Sequence, residues 1–181
     1  MSQNHKKRKK QSNIDFKIMS LFFKLRDVFN PPIRKIEKAN VQESDIVLDY
    51  GCGPGSYSIA AAKRVGHSGI VYCADINPLA VEKVEKKALK LSLCNIETIQ
   101  TDCKTNLNDN SIDIILCFDV LHAIEDQKSI LKEFHRILKP KGIFSFDDHH
   151  YKESELESLI TSNGLFSLVE KKEKQYNFSK N

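Results

Sequence analysis

The sequence predicts an α/β fold: a doubly wound, mostly parallel seven-stranded sheet that ends in an antiparallel hairpin. Apolar strand patterns alternate with helical patterns along most of the chain, as in parallel sheets that helices cover on both faces. A glycine-rich turn follows the first strand. The last two strands, 166–171 and 174–178, lie too close in sequence for a crossover helix, so they must pair antiparallel.

The composition predicts one globular domain in a reducing compartment. The chain has 181 residues, of which 40% are hydrophobic and 29% charged. Residues 6–10 carry five positive charges, and removing them from the formal net charge of +4 leaves −1. Five cysteines without C-x-x-C spacing argue against a disulfide framework or a zinc–thiolate site and favour the cytoplasm. No segment is apolar for long enough to span a bilayer.

Three segments are expected along the chain. Residues 1–12 are basic and polar and are predicted to be a disordered tail. Residues 13–40 are predicted to form a helical lid or cap, with an amphipathic helix over 14–29. The competing interpretation is that this helix only packs against the sheet as part of the core. Residues 41–181 are predicted to be the ligand-binding domain.

The elements of the sheet follow from apolar runs and capping residues. The strands before the hairpin are predicted at 46–49, 70–74, 96–101, 112–118 and 143–146. The helices are predicted at 33–39, 56–65, 78–91 and 127–138. Asn77 followed by Pro78 predicts an N-cap with proline in the first turn. Ser154 with Glu157 predicts a capping box for a last helix that Gly164 ends.

The turn after the first strand carries the strongest functional pattern, Val47-Leu48-Asp49-Tyr50-Gly51-Cys52-Gly53-Pro54-Gly55. Its alternate glycines would remove Cβ atoms where the backbone approaches a ligand. A dinucleotide site would space its glycines as G-x-G-x-x-G instead. The acid at the mouth of the turn, Asp49, suits a ligand with an ammonium group and disfavours a pyrophosphate.

Acidic residues follow the other strands as well. Ligands of open α/β sheets bind outside the carboxyl ends of the strands, at the topological switch point. Asp75 ends the second strand, where it would accept hydrogen bonds from two ribose hydroxyls. The competing interpretation is a charge at the N-terminus of the next helix. The later strand ends contribute Asp102, Asp119, Asp147 and Asp148.

The acid-x-G-x-G-x-G order, Asp75, Asp102 and the turn 137–142 together resemble the class I S-adenosylmethionine-dependent methyltransferases. Within them the pattern is similar to the ubiquinone/menaquinone-biosynthesis-like small-molecule group. The resemblance covers roughly residues 33–178. It implies the class I methyltransferase fold, S-adenosyl-L-methionine as cofactor, no metal, and methyl transfer to a small-molecule acceptor by in-line displacement.

The resemblance also assigns roles to residues at the strand ends. Asp102 resembles the acid that binds the adenine amino group, with the Cys103 backbone beside it. Phe118 and Asp119 resemble the segment that flanks the methionine end of the cofactor. The cofactor-binding set that it implies is Asp49, Tyr50, Gly51, Cys52, Gly53, Gly55, Tyr57, Asp75, Ile76, Asp102, Cys103, Phe118 and Asp119.

His122 is the candidate catalytic base. It follows the fourth strand, near the expected position of the methyl group, and histidine accepts a proton readily near neutral pH. The competing interpretation is a helix-start residue without a chemical role. His149 and His150 would line the acceptor pocket. The competing interpretation is a metal site formed with the neighbouring Asp147 and Asp148, which lacks the spacing of a known metal motif.

Several partners follow from the N-terminal region and the charge pattern. The aromatic and aliphatic surface of the first helix favours an apolar acceptor, and with the basic tail it would allow peripheral membrane contact. The near-neutral remainder argues against nucleic acid, although an RNA methyltransferase that uses the tail is one alternative. A non-catalytic cofactor-binding partner subunit is another. The pattern leaves the oligomeric state and the acceptor atom open.

Overall fold

The computed structural model describes residues 21, 22 and 25–181. The predicted tail, and most of the predicted helix over 14–29, lie outside these residues. Residues 25–29 are helical, as predicted. Within the described part, no helix is both long and apolar enough to cross a membrane.

Seven strands form one sheet in the order β3-β2-β1-β4-β5-β7-β6. The strands are β1 (Ile46–Tyr50), β2 (Ile70–Asp75), β3 (Ile96–Gln100), β4 (Ile112–Phe118), β5 (Leu138–Asp147), β6 (Phe166–Lys172) and β7 (Gln175–Lys180). The first five are parallel, and β7 pairs antiparallel with both β5 and β6. The predicted fold class and its C-terminal hairpin are therefore confirmed.

The helices divide between the two faces of the sheet. They are α1 (Ile33–Lys38), α2 (Ser56–Val65), α3 (Pro78–Lys90), α4 (Gln127–Ile137) and α5 (Glu153–Thr161), with a short 3-10 helix at Leu121–Ala123. One apolar cluster joins α1, α2 and α3 to the sheet, and the other joins α4, α5 and the hairpin to its opposite face. The strands after β1 are added first on one side of it (β2, β3) and then on the other (β4, β5), so the switch point lies beyond the carboxyl ends of β1 and β4.

Capping residues confirm the predicted start of one helix and correct that of another. The side chain of Asn77 accepts the backbone N–H of Leu79 at 3.0 Å, as the Asn-Pro pair predicts. The predicted capping box at Ser154 is wrong, because α5 begins at Glu153 and places Ser154 inside its first turn. No side chain caps this helix at Lys152.

The predicted turn at 137–142 is also different in the structure. Leu138 pairs with Ile112 directly after α4, and the next pairs are Ile114 with Ile143. The intervening residues of β5 form an irregularity rather than a separate turn. Lys139 anchors it, since its Nζ lies 2.7 Å from Oδ2 of Asp113.

Candidate functional site

The glycine turn between β1 and α2 lies at the switch point, and its three glycines differ in what surrounds the missing Cβ. All three have positive φ: +77° at Gly51, +50° at Gly53 and +80° at Gly55. A Cβ on Gly51 would lie 2.2 Å from Val120, and one on Gly55 would lie 2.7 Å from Val84. A Cβ on Gly53 would find no protein atom closer than 4.0 Å. All three glycines were expected to leave room for a ligand, but only Gly53 has open space where its Cβ would be.

Asp49 is turned into the protein, although the sequence pattern places it at the mouth of the turn. Its side chain is 2% exposed, and Oγ of Ser58 donates to its Oδ2 at 2.5 Å. Burial raises the pKa of this carboxyl to about 6. The Asp49 carboxyl therefore binds Ser58 inside the protein, and Asp49 is not among the residues that line the adjacent cavity.

Asp75, at the end of β2, connects the glycine turn to the start of α3. Its Oδ2 accepts the backbone N–H of Gly53 at 2.9 Å, and its Oδ1 accepts that of Asn77 at 2.8 Å. Burial raises the pKa of Asp75, while these backbone hydrogen bonds oppose the rise. Each carboxylate oxygen can accept a further hydrogen bond. Asp75 can thus serve the helix start and still receive ligand hydroxyls.

The end of β3 supplies an exposed acid and a short hydrogen-bonded turn. Asp102 lines the cavity, while the neighbouring Cys103 does not. The backbone N–H of Cys103 donates to Oγ1 of Thr101 at 3.2 Å. The backbone N–H of Cys103, predicted to lie beside an adenine, thus already has a hydrogen-bond partner in the protein, whereas Asp102 lines the cavity.

An aromatic wall completes the site at the end of β4. The rings of Tyr57 and Phe118 meet edge to face, with centroids 5.1 Å apart. Asp119 has a positive φ of 56°, and its N–H donates to the carbonyl of Asp147 at 2.9 Å. This bend directs the chain from β4 across the glycine turn, so that Val120 packs on Gly51.

These elements enclose a cavity of about 330 Å³. The volume lies within the usual range for small-molecule pockets. The predicted cofactor residues that line it are Tyr50, Gly51, Cys52, Gly53, Tyr57, Asp75, Ile76, Asp102, Phe118 and Asp119. Asp49, Gly55 and Cys103 are not among the residues that line it.

The N-terminal segment reaches the same cavity through polar side chains. Arg26 lines it and lies 5.0 Å from the centroid of the Tyr57 ring. Asp27 forms an ion pair with Arg26 at 2.8 Å and accepts a hydrogen bond from the hydroxyl of Ser56. The predicted apolar closing surface differs: the described apolar side chains of this segment, Leu21, Phe22, Leu25, Val28 and Phe29, are exposed.

A second cavity of about 770 Å³ adjoins the first. Arg26, Tyr57 and Asp119 line both. Charged side chains dominate its wall: Arg26, Arg34, Lys35, Glu37, Lys38, Asp119, Asp147, Lys172, Glu173 and Lys174. Six of these are cationic and four anionic, so the wall has an excess of positive charge.

The lysine at the centre of this wall is held in place. Nζ of Lys35 lies 2.6 Å from Oδ2 of Asp147 and 4.5 Å from the centroid of Phe118. Burial raises the pKa of Asp147, and the Lys35 ammonium opposes that rise. The pair joins α1 to the carboxyl end of β5, at the junction between the two cavities.

His122 lies in the 3-10 helix after β4 and outside the residues that line the two cavities. Its Nδ1 is 2.9 Å from Oδ2 of Asp148, and its ring stacks on His150. His149 lines the larger cavity. The structure therefore brings the three histidines together, and of these His149 lines the larger cavity while His122 does not line either cavity.

The thiols near the strand ends are poorly suited to nucleophilic chemistry. Cys52, Cys73 and Cys117 are buried. Burial raises the pKa of each of these thiols, and nearby carboxylates add to the rise. Because the thiolate is the reactive form, these cysteines act as small core side chains.

Comparison with known proteins identifies the family. Residues 42–180 match a family model described as a methyltransferase domain. The chain belongs to this methyltransferase family. The match confirms the resemblance drawn from the glycine turn, Asp75 and Asp102.

Relatives of known name agree with this family. A demethylmenaquinone methyltransferase of Geobacillus stearothermophilus is 33% identical over 109 residues, 60% of this chain and 47% of the relative. The ubiquinone/menaquinone biosynthesis C-methyltransferase UbiE of Blochmanniella pennsylvanica is 30% identical over 139 residues, 72% of this chain and 55% of the relative. The chain spans about half the length of the curated relatives it matches.

A solved structure supports the fold over nearly the whole chain. A SAM-dependent methyltransferase from Aquifex aeolicus superposes with a TM-score of 0.77 at 26% identity, covering 90% of this chain and 94% of that protein. The seven-stranded sheet is therefore the methyltransferase fold.

Some cavity residues were missed by the sequence-based prediction. They are Arg26, Pro54, Ser56, Thr101, Val120, Ala123 and Ile124. Pro54 and Ser56 lie within or directly after the glycine turn, so their proximity to it was an available signal. Val120, Ala123 and Ile124 resemble ordinary core residues, and only the bend at Asp119 carries them over the cavity.

Proposed function

We propose that this chain catalyses S-adenosyl-L-methionine-dependent methyl transfer to a small-molecule acceptor. The observation that carries the proposal is the bond between the Gly53 N–H and Asp75 at the switch point, with Asp102 on the same cavity wall. Two acids at successive strand ends suit the hydroxyl and amino groups of a nucleoside. The names of the relatives support the same reaction.

The residues present fit this cofactor. Asp75 would accept the ribose hydroxyls, and Asp102 the adenine amino group. Gly53 offers a backbone surface without a Cβ, since a methyl group there would project into open space. Tyr57, Phe118 and Asp119 would flank the methionine end. When bound, S-adenosyl-L-methionine supplies a methyl group on a positively charged sulfur.

The larger cavity would hold the acceptor. It meets the first cavity at Tyr57 and Asp119, so an acceptor there can face the methyl group for in-line displacement. The aromatic wall can contact an apolar ring, in keeping with the apolar acceptor predicted from sequence. The excess of cationic over anionic side chains on its wall would also accommodate a polar or anionic group on that acceptor.

The N-terminal segment would act as the lid predicted for residues 13–40. Polar side chains attach this segment to the site. The Arg26 guanidinium lies over the Tyr57 ring, and Asp27 accepts a hydrogen bond from the Ser56 hydroxyl. A closed lid would exclude water from the transfer. The role of His122 as a base stays a prediction, and transfer needs a base only if the nucleophile arrives protonated.

Peripheral membrane contact is a further part of this proposal. The exposed side chains of Leu21, Phe22, Leu25, Val28 and Phe29 lie close in sequence to the basic tail. Co-sedimentation with anionic liposomes would compare the full chain with one that starts at Ser12. Binding that requires the tail supports the contact, and equal, negligible binding removes it.

Two measurements test the reaction. Calorimetric titration with S-adenosyl-L-homocysteine, NAD and NADP distinguishes a methyltransferase site from a dinucleotide site. Transfer of a labelled methyl group is then followed with a panel of ring-bearing acceptors, including quinone precursors and anionic analogues. Binding of S-adenosyl-L-homocysteine with turnover supports the proposal; binding without turnover favours the non-catalytic partner subunit.

A further inference from the structure

His149 and Asp119 form a hydrogen-bonded pair where the two cavities adjoin. Nδ1 of His149 lies 2.5 Å from Oδ1 of Asp119, and the backbone N–H of His149 donates to the same oxygen at 3.0 Å. His149 lines the larger cavity, and Asp119 lines both. The imidazole ring is therefore attached to a residue at which the expected cofactor and acceptor sites meet.

This hydrogen bond determines which ring nitrogen of His149 carries the proton. A carboxylate only accepts hydrogen bonds, so Nδ1 of the neutral ring is protonated and Nε2 keeps its lone pair. Within the described part of the chain, Nε2 of His149 has no hydrogen-bond partner. This nitrogen can therefore accept a proton from a bound molecule.

A second ring restricts the movement of His149. The ring of His150 lies against it, with centroids 4.0 Å apart and planes at 39°. His150 is held in turn, since its Nδ1 lies 3.1 Å from Oδ1 of Asp148, which is 2% exposed. The imidazole of His149 is thus oriented by two neighbours although its side chain is 70% exposed.

Other groups of the larger cavity are less suited to take up a proton. Among the described residues that line it, His149 is the one imidazole. Asp147 and Glu173 each form an ion pair with a lysine at 2.6 Å. Glu37 is exposed, and carboxylates are weaker bases than imidazole. An imidazole is the side chain best suited to proton transfer near neutral pH.

We propose that His149 is the general base of the transfer and that Asp119 positions it. The inference rests on the proposed methyl transfer and narrows the class of its acceptor. The acceptor would carry a ring hydroxyl: Tyr57, which lines both cavities, offers contact to the ring, and Nε2 of His149 accepts the hydroxyl proton. An acceptor without a proton to lose would not need this residue.

The proton and the electrons balance in this step. The O–H bond of the acceptor breaks, and its proton passes to Nε2 of His149. The electron pair left on the acceptor forms the new bond to the methyl carbon, while the pair of the carbon–sulfur bond stays on sulfur. The Asp119 carboxylate stabilises the imidazolium that forms, and the exposed ring then releases the proton to solvent.

The competing explanation is a structural pair that only fastens the segment after β5 to the end of β4. It predicts a loss of stability when His149 is removed, without any chemical role for Nε2. A second alternative is the base predicted from sequence, His122, whose Nδ1 lies 2.9 Å from Oδ2 of Asp148 outside the residues that line the cavities.

The first test needs neither a methyl donor nor an acceptor. Nitrogen-15 NMR of the full chain with labelled histidine reports which ring nitrogens are protonated, and a His149→Ala chain assigns the signals of His149. At a pH at which this ring is neutral, we expect the proton on Nδ1 in the wild type and a mixture of tautomers in Asp119→Asn. A wild-type ring protonated on Nε2 would overturn the proposal.

The second test is transfer of a labelled methyl group to phenols and hydroquinones. His149→Ala should slow turnover about 100- to 10,000-fold and leave the affinity for S-adenosyl-L-homocysteine unchanged, because His149 does not line the smaller cavity. Added imidazole should restore part of the rate, whereas pyrazole, a ring of similar size but a weaker base, should not. His67→Ala, exposed and outside both cavities, is the matched control.

The outcomes separate this inference from the proposed methyl transfer. Equal turnover by wild type and a folded His149→Ala chain overturns the base alone, as does rescue by both added compounds or by neither. A loss in His122→Ala without one in His149→Ala also overturns it. Transfer only to acceptors that lack an ionisable proton has the same meaning. No transfer by the wild type to any acceptor removes both proposals. Circular dichroism establishes that each variant is folded.

Discussion

Gly51 packs so closely against Val120 that a Cβ on the glycine would lie 2.2 Å from one methyl group of the valine and 2.7 Å from the other. The first glycine of the turn is therefore needed for contact between the ends of β1 and β4. Gly53, two residues later, faces open space. Neighbouring glycines of one motif thus serve packing in one case and ligand access in the other.

Replacing Gly51 with alanine should destabilise the protein. Overpacking costs about 1–3 kcal/mol, and the left-handed backbone adds about 1–2 kcal/mol for a residue with a Cβ. A second change, Val120→Ala, removes both clashing methyl groups and should recover part of the loss. Urea unfolding of the two single variants and the double variant measures this coupling. Strictly additive losses would contradict the packing role of Gly51.

Replacing Gly53 with alanine should instead impair binding more than stability. Only the backbone strain, about 1–2 kcal/mol, opposes folding, because no protein atom lies within 4.0 Å of the added Cβ. The added methyl group would occupy the space in which we expect the cofactor to contact the protein backbone at residue 53. Urea unfolding and titration with S-adenosyl-L-homocysteine are compared for the Gly51→Ala and Gly53→Ala variants. A larger stability loss at Gly53 than at Gly51, with unchanged affinity, would contradict this division of roles.

Asp49 should make the stability of the protein depend on pH. Its pKa is raised to about 6 by burial, against about 3.9 in an unfolded chain. The folded state therefore holds this proton more tightly, and the contribution of Asp49 to stability falls as the pH rises from about 4 to about 6. The two-unit difference corresponds to at most about 3 kcal/mol.

The variant Asp49→Asn cannot ionise and should lack this loss. Its free energy of unfolding, relative to the wild type, should rise by up to about 3 kcal/mol between pH 4 and about pH 7.5. Urea unfolding at both values measures the change, with Asp102→Asn as an exposed-carboxylate control. If the difference in unfolding free energy between Asp49→Asn and the wild type is the same at both pH values, burial of Asp49 does not raise its pKa.

The polar contacts that attach the N-terminal segment to the cavity should slow dissociation of the cofactor. Asp27→Ala removes both the ion pair with Arg26 and the hydrogen bond from Ser56. Because ion pairs near the surface contribute about 0.2–1 kcal/mol, dissociation of S-adenosyl-L-homocysteine should accelerate about 1.4- to 5-fold. Stopped-flow displacement measures the rate. Glu82→Ala, which removes an exposed ion pair with Lys86 on α3, should leave it unchanged. Equal rates for wild type and Asp27→Ala would argue against a lid.

The sequence predicted best where backbone chemistry is local. Helix α2 begins at Ser56 and ends at Val65 as predicted, because Gly55 caps it with a left-handed conformation and Gly66 follows it. Asp75 was placed correctly at the end of the second strand, because the apolar pattern of β2 stops at that residue. In contrast, Ser154 failed as a cap although its pattern matched, since the helix starts one residue earlier.

The features that could not be predicted from the sequence depend on contacts between residues that are far apart along the chain. Asp148 holds the ring of His122 only because β4 and β5 are neighbours in the sheet, a contact across 26 residues. The inward turn of Asp49 depends on Ser58, which reaches it from α2. Arg26 enters the cavity from a segment whose pattern indicated an apolar surface.

The central claim is that Asp75 binds the nucleoside part of S-adenosyl-L-methionine, and titration of S-adenosyl-L-homocysteine into wild type, Asp75→Ala and Asp75→Asn tests it most directly. We predict a dissociation constant on the order of 1 μM for the wild type. Loss of two hydrogen bonds to a charged group should weaken binding by at least about 100-fold in Asp75→Ala, and less in Asp75→Asn. Glu155→Ala, exposed and outside both cavities, is the control. No binding to the wild type, or equal binding by a folded Asp75→Ala chain, would contradict the account.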